Sequence, residues 1–165
     1  MTFHSFFEAA TDEKKKQPYP YQEKLAHQPE PGQPIKSCLI HVPTGCGKTA
    51  AAVLAWLWRR KTDTGNTPRR LVYCLPMRVL VEQTREKACE WVSNLKSTIW
   101  PEIDVTVNTL MGGEVEEGWE LYPEKPAILV GTQDMLLSRA LNRGYAMSRY
   151  RWPVHFGLFN NDCLW

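Results

Sequence analysis

The sequence predicts an α/β fold in which a parallel sheet is flanked by helices. Short apolar runs rich in β-branched residues alternate with longer segments of helical periodicity, and this alternation is typical of βαβ units. A glycine-rich stretch over residues 43–49 falls between one such run and one helical segment, which is where a phosphate-binding loop lies. The length of 165 residues suits a single core.

The chain before the first predicted strand divides into a helix and a linker. Phe3, Phe6, Phe7 and Ala10 have helical spacing and predict a short amphipathic helix, whose aromatic rings we expect to pack rather than to bind a ligand. A lysine run over residues 14–16 predicts a solvated helix end. Helix-breaking residues predict a loop over residues 27–36: Pro29, Pro31, Gly32 and Pro34. We expect residues 1–36 to form an N-terminal segment and 37–165 the main domain.

The elements on either side of residues 43–49 follow in regular order. Residues 38–42 (CLIHV) predict a strand, and residues 49–61 predict a buried helix whose basic end complements the helix dipole. A polar surface loop is predicted over residues 62–68. Residues 71–75 (LVYCL) predict the next buried strand. An apolar stripe then predicts a helix: Val81, Thr84, Ala88, Trp91 and Leu95.

The second half of the chain repeats this order. Residues 104–110 and 127–130 predict two more strands, separated by an acidic loop over residues 112–126. Asp134 is placed to cap a helix that runs to Leu141, and Gly144 is placed to stop it. His41 and His155 lie in apolar stretches, so we expect them to be packed rather than to bind a metal.

Composition narrows the class of protein. The fractions of apolar residues (43%) and charged residues (23%) exclude a disordered or fibrous chain. The longest apolar run, residues 50–58, is far shorter than the ~20 residues that span a bilayer, so we expect no membrane association and a cytoplasmic location. The five cysteines show no CxxC pair and predict reduced thiols. A net charge of +2 does not identify a nucleic-acid binder.

The stretch Pro43-Thr44-Gly45-Cys46-Gly47-Lys48-Thr49, here called the phosphate loop, has the residue types that phosphate binding requires. Gly45 and Gly47 let backbone amides turn toward phosphate oxygens, and Lys48 supplies a positive charge for the outer phosphates. The hydroxyl of Thr49 can ligate Mg²⁺. Val42 stands where the general pattern has its first glycine. We predict ATP and Mg²⁺ as cofactors, all seven residues as nucleotide contacts, and Lys48 and Thr49 as catalytic residues.

Further blocks accompany the phosphate loop. Pro20-Tyr21-Gln22 resembles the adenine-reading motif of superfamily 2 helicases, in which the amide of the residue matched by Gln22 donates to and accepts from adenine; taken alone, Gln22 suits a surface position equally well. Residues 75–80 with Gln83 resemble the second block of that superfamily, which implies that Arg78 contacts a phosphate; taken alone, Arg78 can equally be a solvated arginine. Arginines in the last block alternate with Tyr145, Tyr150 and Trp152. Alternating charge and aromatic rings suit binding to single-stranded nucleic acid or, equally, a solvated protein surface. The arginines concerned are Arg139, Arg143, Arg149 and Arg151.

With these blocks the chain resembles a superfamily 2 helicase of the DEAD/DEAH type. It is also similar to the helicase-nuclease of type I CRISPR interference, in its I-U (also called I-G) branch. The similarity lies in residues 128–145, Gly112-Gly113-Glu114, Trp119, Trp152-Pro153, Phe156-Gly157 and residues 160–165. The resemblance implies a RecA-like P-loop domain, single-stranded DNA as a partner, and an RNA-guided interference complex as a second partner. The residues predicted to contact nucleic acid are Pro76, Arg78, Gln83, Thr132, Gln133, Arg139 and Arg143.

The resemblance also implies an incomplete first motor lobe. The acidic pair that completes ATP hydrolysis is expected shortly after Trp165, and a second lobe with its arginine finger is expected beyond it. We therefore expect little ATP turnover from this chain. No His-Asp dipeptide is present, so we expect no nuclease activity. Two alternatives remain open: a noncatalytic nucleotide- or nucleic-acid-binding module, and a small P-loop phosphotransferase.

Overall fold

The fold is that of a computed structural model, which describes residues 1–13, 17–28, 30, 33, 35–112, 114–115, 118–145 and 147–165. The lysine run at 14–16, the four helix-breaking residues of the predicted linker, and Gly113 lie outside the described residues. The chain divides into two compact units. Unit 1 comprises Met1–Thr67 and Glu90–Ile103, and unit 2 comprises Pro68–Cys89 and Asp104–Trp165.

Unit 1 is helical. It contains α1 (Phe3–Thr11), α2 (Pro20–His27), α3 (Lys48–Thr62) and the second half of α4 (Arg78–Thr98). Helix α1 begins with a capping box, in which Thr2 and Ser5 bond reciprocally to each other's backbone amides. Helix α2 begins with Pro20, whose fixed φ suits the first helical position. Helices α1 and α3 match the predicted helices, and α4 extends the predicted one at both ends.

The aromatic residues of α1 form the core of unit 1 together with α3. Phe3, Phe6 and Phe7 are buried, and the rings of Phe3 and Phe6 meet the Trp58 ring edge-on at centroid distances of 5.9 and 5.4 Å. Such pairs contribute beyond the area that they bury. The Asn94 amide donates to the Ala10 carbonyl at 2.9 Å and ties α4 to the end of α1. The predicted packing role of these rings is confirmed.

The predicted strand over residues 38–42 is wrong. Residues 35–43 have neither helical nor strand structure, and Leu39 is 93% exposed. His41 is also exposed, against our expectation that it is packed. An apolar run of this length forms a strand only where a neighbouring strand accepts its hydrogen bonds, and among the described residues no strand pairs with it. The phosphate loop therefore follows a segment without regular secondary structure, most of whose residues are exposed.

Unit 2 contains the sheet. Its strands are β1 (Arg70–Leu75), β2 (Thr106–Met111), β3 (Glu114–Val115), β4 (Ala127–Thr132) and β5 (Cys163–Leu164), in the order β3-β2-β4-β1-β5. All neighbours are parallel except β2 and β3, which are antiparallel. Helices α5 (Gln133–Ala140) and α6 (Trp152–Asn160) complete the unit with the first half of α4. The predicted α/β class with a parallel sheet is confirmed.

The core of unit 2 surrounds β4. All six of its residues are buried, as expected for a central strand of a parallel sheet covered on both faces. Its residues Ala127 and Leu129 pack with side chains from β1, β2, α5 and α6: Val72, Leu110, Leu136 and Phe159. Trp119 joins this cluster from a short 3-10 helix over Trp119–Leu121. The predicted acidic loop over residues 112–126 therefore contains both a strand and a buried tryptophan.

Smaller differences concern the ends of elements. The loop predicted over residues 62–68 starts at residue 63 in the structure, because α3 includes Thr62. Within this loop Thr67 is buried, and its hydroxyl donates to the Asp63 carbonyl at 2.7 Å. Thr132 is the N-cap of α5, so the prediction that Asp134 caps this helix is wrong; Asp134 lies in its first turn. Among the helices of the described residues, none combines the length and apolarity that crossing a membrane requires.

Candidate functional site

The phosphate loop has the backbone conformation that anion binding needs. Gly45 and Gly47 both have positive φ, 85° and 72°. Residues that alternate between right- and left-handed conformations turn successive amides toward one concave side, where an anion can bind. Gly47 is also the N-cap of α3, so the positive end of that helix dipole faces the same loop. Pro43, Thr44 and Cys46 provide the rest of the turn.

Lys48 is held at the phosphate loop itself. Its ammonium donates to the carbonyls of Val42 and Pro43 at 3.1 and 3.0 Å. These carbonyls are exchangeable acceptors, because a phosphate oxygen carries more negative charge and forms a stronger hydrogen bond with an ammonium. The Lys48 ammonium therefore lies at the phosphate loop, and its contact with the outer phosphates of a nucleotide stays a prediction.

Thr49 follows Lys48 in the first turn of α3 and is half-buried. In the described part of the chain, no three His, Cys, Asp or Glu side chains lie close enough to hold a metal ion. The residues fit Mg²⁺ only if the ion also binds phosphate oxygens, since Mg²⁺ needs six oxygen ligands and usually takes few from the protein. The hydroxyl of Thr49 would be the ligand supplied by the phosphate loop.

The segment with Pro20-Tyr21-Gln22 lies against the phosphate loop. Gln22 is 1% exposed; its Nε2 donates to the Gly47 carbonyl at 2.9 Å, and its Oε1 accepts from the Tyr19 amide at 2.8 Å. The hydroxyl of Tyr21 donates to the Cys46 carbonyl. Each polar atom of the Gln22 amide keeps one further hydrogen-bonding position. That Gln22 reads adenine therefore stays a prediction, but its place beside the phosphate loop is established.

These two contacts set the direction of the phosphate-loop amides. A trans peptide is planar, so its C=O and the following N–H point in opposite directions. Tyr21 and Gln22 bond the carbonyls of Cys46 and Gly47, so the N–H groups of Gly47 and Lys48 point away from helix α2. Sequence reasoning missed Tyr21, although its place beside Gln22 was a signal for it.

A second group of predicted residues meets at the carboxyl edge of the sheet, defined here by the ends of β1, β2 and β4. Parallel strands end on one side of the sheet, where ligands commonly bind. Pro76 and Arg78 follow β1, while Thr132 and Gln133 join β4 to α5. Arg78 reaches across to Gly112 after β2, where its Nη2 lies 2.9 Å from the place a Cβ would occupy. Gln83 is exposed on α4.

Asp134 adds a negative charge to this edge. A hydrogen bond from the Thr132 hydroxyl lowers the pKa of Asp134, and the Met135 amide and the charge of Arg78 act in the same direction. Burial and the charge of Asp134 raise the pKa of the nearby Cys74 thiol. The carboxylate therefore stays ionised and attracts the Arg78 guanidinium. Arg78, Gln133 and Asp134 remain exposed, so the edge is open to a ligand.

Arg139 does not join this edge as a contact for nucleic acid. The side chain is 1% exposed, and its Nη1 donates to the Met135 carbonyl at 3.0 Å. Long helical side chains turn back toward the preceding turn, and here that direction leads into the core. Burial lowers the pKa of Arg139. The predicted contact between Arg139 and a strand is therefore wrong for this structure, whereas Arg143 is exposed as a contact requires.

The chain is similar to a known protein family. The family model described as DEAD/DEAH box helicase matches residues 19–154. This span contains Gln22, the phosphate loop and all the residues of the carboxyl edge. No curated protein matches the chain.

Proposed function

This chain belongs to the DEAD/DEAH box helicase family, and from that premise we propose that it binds ATP at the phosphate loop and acts as an ATP-dependent DNA helicase or translocase. The observation that supports the proposal most strongly is the geometry of the phosphate loop and of the side chains that contact it. The loop has two left-handed glycines, Lys48 lies across it, and Gln22 and Tyr21 fasten its carbonyls.

Each side chain of the site has a separate task in this proposal. Amides of the phosphate loop hold the phosphate oxygens, Lys48 neutralises the outer phosphates, and the Thr49 hydroxyl ligates Mg²⁺. Gln22 selects the base because an amide matches the donor and acceptor of adenine. ATP with Mg²⁺ supplies the phosphoanhydride bond whose hydrolysis releases the energy for movement. Arg78 and the exposed residues of the carboxyl edge hold the strand by its phosphates, which requires no particular sequence.

The biological setting is a further part of the proposal. Residues 128–141 and 152–165 resemble the helicase-nuclease of type I CRISPR interference, so we propose single-stranded DNA as the substrate. An RNA-guided interference complex is the proposed partner, and the cytoplasm is the proposed location. The sequence Gly-Thr-Gln-Asp, which joins β4 to α5, supports the proposed role in CRISPR interference.

Replacing Lys48 tests the nucleotide site. Lys48→Ala removes a charged donor, and hydrogen bonds to charged groups contribute about 1.5–3 kcal/mol, so the Kd for a fluorescent ATP analogue should rise about tenfold or more. Lys24→Ala, a change of an exposed lysine on α2, serves as the control and should leave the Kd unchanged. Equal affinity of the Lys48 variant and the parent protein would remove the phosphate loop from the proposed function.

A further inference from the structure

Residues 143–145 and 147–152, here called the tyrosine loop, lie between α5 and the start of α6 and include a 3-10 helix over Arg149–Arg151. Gly144 has a positive φ of 52°, and a Cβ at this position would lie 2.0 Å from the Trp152 ring. The backbone at the start of the loop therefore rests directly on the side chain at its end, a contact that only glycine allows. Loops whose ends meet and that pack on their own side chains are frequently functional.

Hydrogen bonds hold this loop to the end of α5. The amides of Arg143 and Gly144 both donate to the Ser138 carbonyl, at 2.7 and 3.1 Å. Within the loop, the Trp152 indole N–H donates to the Met147 carbonyl at 3.3 Å. Ala146 lies outside the described residues. The loop is thus tied down at both ends, so a ligand would meet a preorganised surface and less ordering entropy would oppose binding.

The tyrosine loop presents two aromatic rings to solvent. Tyr150 is 94% exposed and Tyr145 is 60% exposed. Aromatic side chains usually bury most of their surface, and a ring in water gains free energy when a flat partner covers it. Two such rings on one short, fastened loop are therefore an unusual feature that packing of the chain does not explain.

Arginines alternate with these tyrosines in the sequence. Residues 135–161 contain four arginines and no Asp or Glu. Arg139 is buried and Arg151 pairs with Glu120, but Arg143 and Arg149 are exposed. Neither of these two exposed arginines forms an ion pair with the part of the chain that the structure describes. The Arg149 guanidinium lies over the Trp152 ring at 5.9 Å from its centroid, which leaves its edge open to an anion.

We propose that the tyrosine loop binds single-stranded nucleic acid, with Tyr145 and Tyr150 stacking on unpaired bases and Arg143 and Arg149 contacting phosphates. Exposed rings and exposed arginines on one loop match a strand whose bases are flat and whose backbone is negative. In a duplex the base faces are covered by their neighbours, so stacking on these rings favours single strands. The proposal rests on the proposed function in that the strand is the one held at the carboxyl edge.

Fluorescence anisotropy with a labelled oligo-dT of about 20 nucleotides tests this inference. Stacking contributes about 1–3 kcal/mol per base, so Tyr150→Ala and Tyr145→Ala should each raise the Kd about tenfold. Tyr150→Phe keeps the ring and should bind within about twofold of the parent. Tyr122→Ala, a change of an exposed tyrosine outside the loop, is the matched control and should leave the Kd unchanged.

Two further measurements separate the possible outcomes. Binding of a blunt duplex should be unaffected by Tyr150→Ala, and an equal loss for the duplex would overturn the stacking role. If Arg78→Ala weakens oligo-dT binding but both tyrosine variants bind like the parent, the loop serves another macromolecule, such as a protein, and the inference fails while the proposed function stands. If the parent itself does not bind oligo-dT at low salt, both proposals fail.

Discussion

The hydroxyl of Tyr21 is a small group with a defined place at the nucleotide site. It donates to the Cys46 carbonyl, while the neighbouring Gln22 donates to the next carbonyl, of Gly47. Adjacent side chains on α2 thus fasten successive peptides of the phosphate loop. In the proposed function, rotation of either peptide would move an N–H group away from a bound phosphate, so we expect these contacts to raise the affinity for phosphate.

Tyr21→Phe tests this positioning role. The variant keeps the ring and loses one hydrogen bond of about 0.5–1.5 kcal/mol, so the Kd for ATP should rise about two- to tenfold. Inorganic triphosphate should show the same loss, because the hydroxyl contacts the loop and not the base. Isothermal titration calorimetry measures both ligands. Tyr122→Phe is the control, and an unchanged Kd in the Tyr21 variant would contradict the role.

At the scale of elements, β4 organises the sheet because it lies between β1 and β2. Gly131, near its end, allows the neighbouring elements to approach closely. A Cβ at this position would lie 2.4 Å from the Leu110 carbonyl oxygen and 2.9 Å from the Leu136 side chain. The Leu110 carbonyl oxygen belongs to the backbone of β2, so no side-chain rotation can move it away from the added Cβ. The strand that leads to the carboxyl edge therefore tolerates only glycine at this position.

Gly131→Ala should accordingly destabilise the protein. Inserting a methyl group into a filled site costs about 1–3 kcal/mol, so the free energy of unfolding should fall by that amount. Chemical denaturation followed by tryptophan fluorescence measures the change. Gly65→Ala is the matched control, since a Cβ at that position meets no atom within 4 Å. A Gly131 variant as stable as the control would show that β2 shifts at little cost.

At the scale of the whole molecule, the residues proposed to bind the nucleotide and those proposed to bind the nucleic acid belong to different compact units. The phosphate loop, Tyr21 and Gln22 are in unit 1, whereas the carboxyl edge and the tyrosine loop are in unit 2. Unit 2 also contains a buried charged cluster around His155, which is 1% exposed. Its Nε2 lies 3.8 Å from the Glu120 carboxylate, which pairs with Arg151, and Arg139 adds a second positive charge.

This cluster predicts that stability depends on pH. Burial, then repulsion by Arg139 and Arg151, lowers the pKa of His155 from 6.5 to about 4. The unfolded chain therefore binds a proton at a higher pH than the folded chain does. Stability from this residue is fully present above about pH 6.5 and is lost as the pH falls toward 4, by about 3 kcal/mol in total.

Comparing denaturation curves at pH 7 and pH 4.5 measures this loss. His155→Phe removes the titrating group and keeps a ring beside Trp119 and Phe159, so its stability should fall less over this range than that of the parent. His4→Phe, a change of an exposed histidine, should retain the full slope. Parallel curves for the parent and the His155 variant would show that other groups cause the acid sensitivity.

The sequence by itself determined the features that depend on neighbouring residues. Helical periodicity predicted α1, α3 and α4, and buried apolar runs predicted β1 and β4. The backbone turn of the phosphate loop could also be predicted from the sequence, because its glycines, its lysine and its helix lie within a few residues of one another. Family resemblance extended this local information to the carboxyl edge, where parallel strands must end together.

Tertiary structure decided which of these segments find partners. The apolar run at 38–42 has strand propensity but pairs with no strand in the part of the chain that the structure describes. Arg139 has a polar side chain that its helix directs into the core. Tyr21 and Gln22 reach the phosphate loop across about two dozen residues of chain. Local sequence sets backbone preference, but burial and hydrogen-bond partners come from residues distant in the chain, so only the folded arrangement could decide them.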